Sequence, residues 1–226
     1  MEEKEKTVRL IENFVSWQGE GPDSGRPMII LRFKTCNLKC PWCDTSVKMR
    51  ISAEAPYTLT DIQSQINETK AGLLITGGEP TVPKHFTETI SLLNGLDYPV
   101  ANVESNGFAL ADLIEFIHVD KPVKFIYSPK IFKEEDIDVA MNNIELLKKN
   151  PKVFFKIVYD YSQYIDDFLR EVAAKHEDLQ WQHRVWLMPE GTNRADLIRN
   201  AEGVFDACEK YKFSFSSRGH IIFGFV

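Results

Sequence analysis

Along the chain, short apolar runs that stop at Gly, Pro, Ser or Asp alternate with longer stretches of helical period. The runs are MIILRF at 28–33, GLLITGG at 72–78, VANVESNG at 100–107, VKFIYSPK at 123–130, VFFKIVYD at 153–160 and RVWLMPE at 184–190. Each is short and rich in β-branched or aromatic residues, as buried parallel strands are. Between them TLTDIQSQINETK, KHFTETISLLNGL, EEDIDVAMNNIELLKKN and SQYIDDFLREVAAKH carry apolar residues at helical spacing. Thr60 ahead of Asp61 and Asn150 ahead of Pro151 read as start and stop signals. This alternation predicts an α/β fold, with a parallel sheet, helices outside it, and six strands forming a partial, open (β/α)6-type barrel. The tail KFSFSSRGHIIFGFV alternates well enough to add one C-terminal edge strand. Residues 1–7 are charged and aperiodic and read as a flexible terminus, which leaves 8–226 as a single domain. No internal repeat, low-complexity tract or linker marks a second one.

Composition narrows the function classes. The 226 residues are 43% hydrophobic, enough for one core of useful size. A formal charge of −6 and a pI near 5.5 argue against sequence-independent nucleic-acid binding, which needs a basic surface, and favour a small-molecule substrate. No apolar run approaches the roughly 20 residues of a membrane helix, and the start MEEKEKTVRL has no signal-like apolar region. The expectation is a cytoplasmic protein with neither a membrane nor a nucleic-acid partner. Four cysteines, three in one short loop, suit free thiolates in a reducing compartment better than a secreted disulfide framework. Cys208, in VFDACEKY, reads most simply as a buried core thiol.

In the predicted architecture chemistry sits at the carboxyl ends of the strands. The polar punctuation falls there: KTCNLKCPWCDTS at 34–46 after the first strand, then TGGEP, ESNG, SPK and PEGTN after later ones. Cys36, Cys40 and Cys43 are spaced C-x3-C-x2-C with no fourth cysteine beside them. A structural zinc site closes its tetrahedron with four ligands, so zinc would have to borrow Cys208, His85 or His220. A 4Fe–4S cluster normally takes four thiolates, so three would leave one iron open to a chelating small molecule. TGGEP is either a turn or a place where backbone approaches a ligand closely. Glu104 could cap the next helix, SPK could be a plain strand-to-loop turn, and Asp44 with Thr45 could cap a helix after the cysteine loop.

The cysteine spacing directly after a first β-strand, followed by TGGEP, ESNG and SPK, resembles the radical S-adenosylmethionine (SAM) superfamily. The resemblance implies a 4Fe–4S cluster on Cys36, Cys40 and Cys43 whose open iron binds the amino and carboxylate groups of SAM. It implies SAM contacts at Gly77, Gly78 and Glu79, at Glu104 and Ser105 near the ribose, and at Ser128, Pro129 and Lys130.

Within that superfamily, ENFVSWQGEGPDSGRPMIILRFKTCNLKCPWCDTS resembles the 7-carboxy-7-deazaguanine synthase family, and the likeness runs on through LLITGGEP, ESNG, SPK and His220. It implies a barrel core with reduced helical content, a homodimer, Mg2+, and an electron donor such as a flavodoxin. The implied reaction converts 6-carboxy-5,6,7,8-tetrahydropterin to 7-carboxy-7-deazaguanine with loss of ammonia. Carried over by matching residues, Trp17, Gln18 and Gly19 would lie on the pterin, and Glu20 on its guanidine-like edge. Arg32 would hold the substrate carboxylate, Thr76 would touch substrate, Thr45 would contact Mg2+, and Val226 would reach the substrate through the terminal carboxylate. Departures from the family pattern are Trp17 in place of an aliphatic residue, LMPEGTN in place of a QP pair, Arg218 where Gln is common, and a short segment between Thr45 and Leu59. Two rival readings remain. A glycyl-radical activase would act on a protein and make no use of Arg32 or the QGEG turn, and a non-catalytic zinc or iron–sulfur module would cleave no SAM.

Overall fold

A computed structural model describes residues 5–175 and 183–225. The chain divides into two compact units. The first runs up to Ser16 and resumes over Arg26–Phe125; the second takes Trp17–Gly25 and everything from Ile126 on. The QGEG turn therefore belongs with the C-terminal half, although in sequence it interrupts the N-terminal one.

In the first unit, β1 (Thr7–Leu10) pairs antiparallel with β4 (Ala55–Thr58), Thr7 facing Thr58 and Leu10 facing Ala55. Thr7, the last residue of the stretch expected to be flexible, is thus already in a strand, and the Lys6 carbonyl accepts from Leu59 N–H. The main layer runs in the order β2 (Glu12–Trp17), β3 (Pro27–Phe33), β5 (Gly72–Gly77), β6 (Ala101–Ser105). β3, β5 and β6 are parallel, with Leu31 beside Ile75, Arg32 beside Thr76, and Ile75 beside Val103. Met28, Ile29, Leu31, Phe33, Leu73, Ile75, Ala101 and Val103 are inaccessible to solvent, which accounts for near-continuous apolar runs in place of a strict alternation.

Helices α1 (Ser46–Ile51), α2 (Leu59–Thr69), α3 (Pro83–Gly95) and α4 (Leu110–Glu115) complete this unit. α2 opens two residues earlier than the Thr60 signal implies. Thr58 is the N-cap: its hydroxyl accepts from Asp61 N–H while the Asp61 carboxylate accepts from Thr58 N–H, a reciprocal pair that satisfies two end-of-helix donors.

Strand β7 (Val123–Tyr127) contains the boundary between Phe125 and Ile126. The second unit continues with α5 (Glu134–Leu147), β8 (Val153–Tyr159), α6 (Gln163–Lys175), β9 (Val185–Pro189) and α7 (Arg194–Tyr211). β8 and β9 are parallel, with Ile157 beside Leu187. α6 buries Ile165, Phe168, Leu169 and Val172, one stripe at i, i+3, i+4 and i+7. Arg184 donates to the carbonyls of Lys148 (2.5 Å), Asn150 (2.7 Å) and Val153 (3.0 Å), fastening the turn that Asn150 and Pro151 introduce. The expected C-terminal edge strand is present but brief. β10 (Ser214–Phe215) pairs parallel with β9, and the chain then turns into a short helix, α8 (Gly219–Phe223). The strand goes no further along KFSFSSRGHIIFGFV, where Arg218 and Gly219 are taken up by contacts with residues 19–20. Helices remain modest in extent and no strands close into a barrel among the described residues.

Ile75 sits at zero exposure between β3 and β6. Ile75→Ala is expected to lower stability by about 2–5 kcal/mol, against about 1 kcal/mol for the cap change Thr58→Ala. Urea unfolding followed by circular dichroism checks both values.

Candidate active site

In the first unit, backbone hydrogen bonding continues beyond the ends of β3 and β5. Gly78 N–H donates to Phe33 carbonyl (2.9 Å) and Glu79 N–H to Thr35 carbonyl (2.8 Å), so the TGGEP loop lies directly on the strand leading into the cysteine loop. Gly77 has a φ of +114°, a left-handed conformation that favours glycine. At Gly78 a Cβ would fall 2.0 Å from the Thr35 carbonyl oxygen, so no side chain fits without moving backbone.

Glu79 is fully enclosed and its carboxylate joins the two loops. Oε1 accepts from Thr81 N–H (3.0 Å), Thr81 Oγ1 (2.7 Å) and Ser105 Oγ (2.8 Å); Oε2 accepts from Asn106 N–H (2.6 Å). The same Ser105 oxygen accepts from Gly107 N–H (3.0 Å). Glu104, half buried, precedes it on β6.

Cys36, Cys40 and Cys43 are partly exposed cysteines that form no disulfide. Among the described residues, no three His, Cys, Asp or Glu side chains stand grouped as for a metal ion. The donor set still suits an iron–sulfur cluster in kind. Leu38 N–H is directed at the Cys36 sulfur (3.4 Å), Asn106 Nδ2 approaches it (3.9 Å), and the thiol faces Asn37 Oδ1 (3.8 Å). Thr45 takes the N-cap position of α1, yet its hydroxyl makes no cap bond; it lies 3.5 Å from the Cys43 sulfur. His85, one candidate for a borrowed zinc ligand, is buried and stacked on Phe33, with Nε2 accepting from Thr35 N–H (3.1 Å) and Nδ1 3.4 Å from Glu88. Burial pushes its imidazole below the ordinary histidine range, a trend that Glu88 opposes. Cys208 is a buried thiol on α7 whose pKa burial pushes up to about 11, as expected of a packing cysteine.

Arg32 and Thr76 are register partners on β3 and β5, both half buried, each next to a fully buried neighbour. Glu12, on β2, accepts from Arg32 Nε through Oε2 and from Lys48 Nζ through Oε1 (2.7 Å). Burial raises the Glu12 carboxyl, but Lys48 and Arg32 together lower it below its usual range. Sequence reading missed Glu12, because β2 was not recognised as a strand; the apolar positions in ENFVSW are its only local signal.

The second unit holds the QGEG turn. Trp17 is about half exposed, whereas Gln18 is buried, its side-chain oxygen accepting from Glu20 N–H (3.2 Å) and its carbonyl from Gly25 N–H (2.8 Å). Gly19 passes so close to His220 that a Cβ would lie 2.0 Å from its Nδ1. Gly219 N–H donates to the Gly19 carbonyl (2.9 Å), and Gly21 N–H to Ser216 Oγ (2.8 Å). Glu20 is clamped between Lys156 Nζ on Oε2 (2.6 Å) and Arg218 Nε on Oε1 (2.9 Å). Burial raises its carboxyl, but Lys156, then Arg218 and His220, outweigh this and hold it far below the usual carboxylate range. Sequence reading missed Lys156 as well, although a lysine inside the apolar run VFFKIVY is itself a signal, since a buried ammonium requires a partner. Lys130 folds back onto Ser128, donating to its carbonyl and its hydroxyl (2.7 Å each), with Pro129 between them. Val226 lies outside the described residues.

No protein-family model matches the chain. Among curated proteins, it is 26% identical to a 7-carboxy-7-deazaguanine synthase of Hyperthermus butylicus over 225 residues, spanning 95% of this chain and 92% of that one. It is 32% identical to that of Aquifex aeolicus over 86% of this chain and 82% of the relative, and 34% identical to that of Thermoplasma acidophilum over 66% and 68%. Among solved structures, QueE from Escherichia coli aligns over 95% of both chains with a TM-score of 0.60 at 20% identity. Streptococcus suis SuiB bound to S-adenosylmethionine aligns over 84% of this chain and 46% of its own, with a TM-score of 0.52 at 16% identity. These two likenesses establish the open, mostly parallel α/β fold. The curated relatives, matched across most of their length at 26–34% identity, establish more: this chain belongs to the 7-carboxy-7-deazaguanine synthase family of radical SAM lyases.

Proposed function

We propose that this protein converts 6-carboxy-5,6,7,8-tetrahydropterin to 7-carboxy-7-deazaguanine with loss of ammonia. The observation that carries the reading is the seating of the three-thiol loop on the glycine-rich loop, backbone against backbone, in a chain of this family. Cys36, Cys40 and Cys43 hold a 4Fe–4S cluster that, when bound together with SAM and reduced, supplies the radical chemistry of hydrogen abstraction. The rest falls to the protein's own side chains, which orient the substrate and keep water from the reacting atoms.

Gly77 and Gly78 let the main chain approach SAM, and Glu79 fixes the loop beside Ser105 so that this approach is rigid. Glu104, Ser128, Pro129 and Lys130 complete the SAM contacts. Glu12 occupies Arg32 Nε, so the edge that Arg32 offers a substrate carboxylate is its Nη pair, a fork suited to two parallel hydrogen bonds. Thr76, beside Arg32 in register, adds a short hydroxyl. Trp17, Gln18 and Gly19 receive the pterin, Glu20 accepts from its guanidine-like edge, and Val226 contributes the terminal carboxylate. Thr45 would offer its hydroxyl to the Mg2+ that the family's reaction uses. A homodimer and a flavodoxin-type electron donor belong to the same proposal. Among the described residues no helix is long and apolar enough to cross a membrane.

The test is anaerobic. The reconstituted protein, given SAM, Mg2+, reductant and the pterin, is expected to form 7-carboxy-7-deazaguanine by mass spectrometry and to lose it in Cys40→Ala; SAM cleavage without product would move the reaction to another substrate. Gly78→Ala is expected to bind less than about a tenth of the wild-type iron and sulfide with secondary structure kept, since the added methyl displaces the Thr35 carbonyl. Arg32→Lys keeps the charge but not the fork, and is expected to raise KM for the pterin about 10- to 100-fold with cluster content unchanged.

The Glu20 carboxyl, depressed in the folded state, contributes stability that is complete above its unfolded value of about 4.3 and is lost as pH falls through the lower folded value. Glu20→Gln is therefore expected to flatten the decline of stability below about pH 4, measured by urea unfolding across a pH series.

A further inference from the structure

Lys156 and Arg218 are unusual as a pair. Both are cationic, both are less than a tenth exposed, and both converge on one carboxylate from distant parts of the second unit: the middle of β8 and the junction between β10 and α8. Burying two charged side chains is costly unless each is paired and hydrogen-bonded. Each takes a different oxygen of Glu20, and Arg218 is held in turn by Nη1 donating to the Gly191 carbonyl (2.6 Å). The backbone on both sides of Glu20 is tied to the same C-terminal segment, Gly19 carbonyl to Gly219 N–H and Gly21 N–H to Ser216 Oγ. The carboxylate therefore has little freedom to rotate.

An ionised carboxylate offers about four acceptor sites over two oxygens. One donor on each oxygen leaves one further site on each. Such a pair matches two parallel N–H donors on a planar ligand edge, the arrangement that makes bidentate recognition specific.

We propose that Lys156 and Arg218 are positioning residues that fix the plane and the ionised state of Glu20, and so set its selectivity for a ligand edge carrying two adjacent N–H donors. The proposal rests on the reading that Glu20 meets the guanidine-like edge of the pterin. A protonated Glu20 would present an O–H where the ligand presents N–H, and a rotated one would accept only a single hydrogen bond. The two cations prevent both.

The experiment compares 6-carboxytetrahydropterin with its 2-oxo counterpart, which replaces the 2-amino donor by a carbonyl, on the reconstituted holoenzyme. Wild type is expected to prefer the amino form by about 100-fold or more in kcat/KM, because the analogue sets a carbonyl against a largely enclosed carboxylate. In Lys156→Met and Arg218→Met that preference is expected to fall at least about tenfold, through a higher KM with kcat and SAM binding nearly unchanged. Arg218→Lys, which keeps the charge, is expected to retain more of the preference than Arg218→Met. Folded variants that keep the wild-type preference, or that lose kcat at constant KM, would overturn the positioning role alone. A wild type with no preference would overturn the contact between Glu20 and the pterin edge, and the proposal with it. Should the methionine variants fail to fold, Arg218→Lys decides: an unchanged preference and KM overturn the proposal, and a partial loss supports it.

Discussion

The arrangement in the first unit depends on the close approach of residues 77–79 to residues 33–35. Parallel strands normally separate where their loops begin, yet here the hydrogen-bonded ladder of β3 and β5 runs on through Gly78 and Glu79. Two glycines allow it, one by its left-handed backbone and one by having no side chain where a carbonyl oxygen passes. The cysteine loop is therefore placed by main-chain geometry, which does not vary with side-chain rotamers. Glu79 then extends the same rigidity to the ESNG loop. Its carboxylate is surrounded by donors from both loops, a closed polar network of the kind that stabilises a single arrangement when every member is satisfied.

The second unit solves a different problem. Its QGEG turn is a short excursion from the opposite end of the chain; the bonds that Gln18 accepts from Glu20 and Gly25 shape it locally but do not tie it to the rest of the unit. Long-range contacts do so: Gly19 against Gly219 and His220, Gly21 against Ser216, Glu20 against Lys156 and Arg218. Of these, the ionic clamp alone combines burial with charge, and removing one partner from such a cluster costs far more than its surface equivalent.

How much of this was legible in the sequence followed from how local each signal was. Six strands were readable because each is a continuous apolar run closed by punctuation, and the helices between them because an amphipathic stripe repeats within a few residues. β1, β2 and β4 were not, being four to six residues long and partly exposed, so they lack the dense apolar signal of a buried strand. The three cysteines and TGGEP could be singled out because their signal is spacing along the chain. Glu12 and Arg218 could not, because their roles exist only when strands or segments far apart in sequence come together. The terminal edge strand was readable as far as Phe215; beyond it tertiary contacts at Arg218 and Gly219 outweigh the alternation, and a helix follows.

The clamp on Glu20 also fixes an order of assembly. Glu20 and Arg218 are 198 positions apart, whereas Cys36 and Cys43 lie within eight residues and the loop they share leans on strands completed by residue 79. During synthesis, which delivers about 5–20 residues per second and lets N-terminal elements fold first, the thiol loop and its glycine support can form while most of the second unit has yet to be made. The turn at residues 18–21 must wait for the polypeptide to reach position 218. The thiol loop and its glycine support can thus be in place some seconds before the turn that carries Glu20 is fastened.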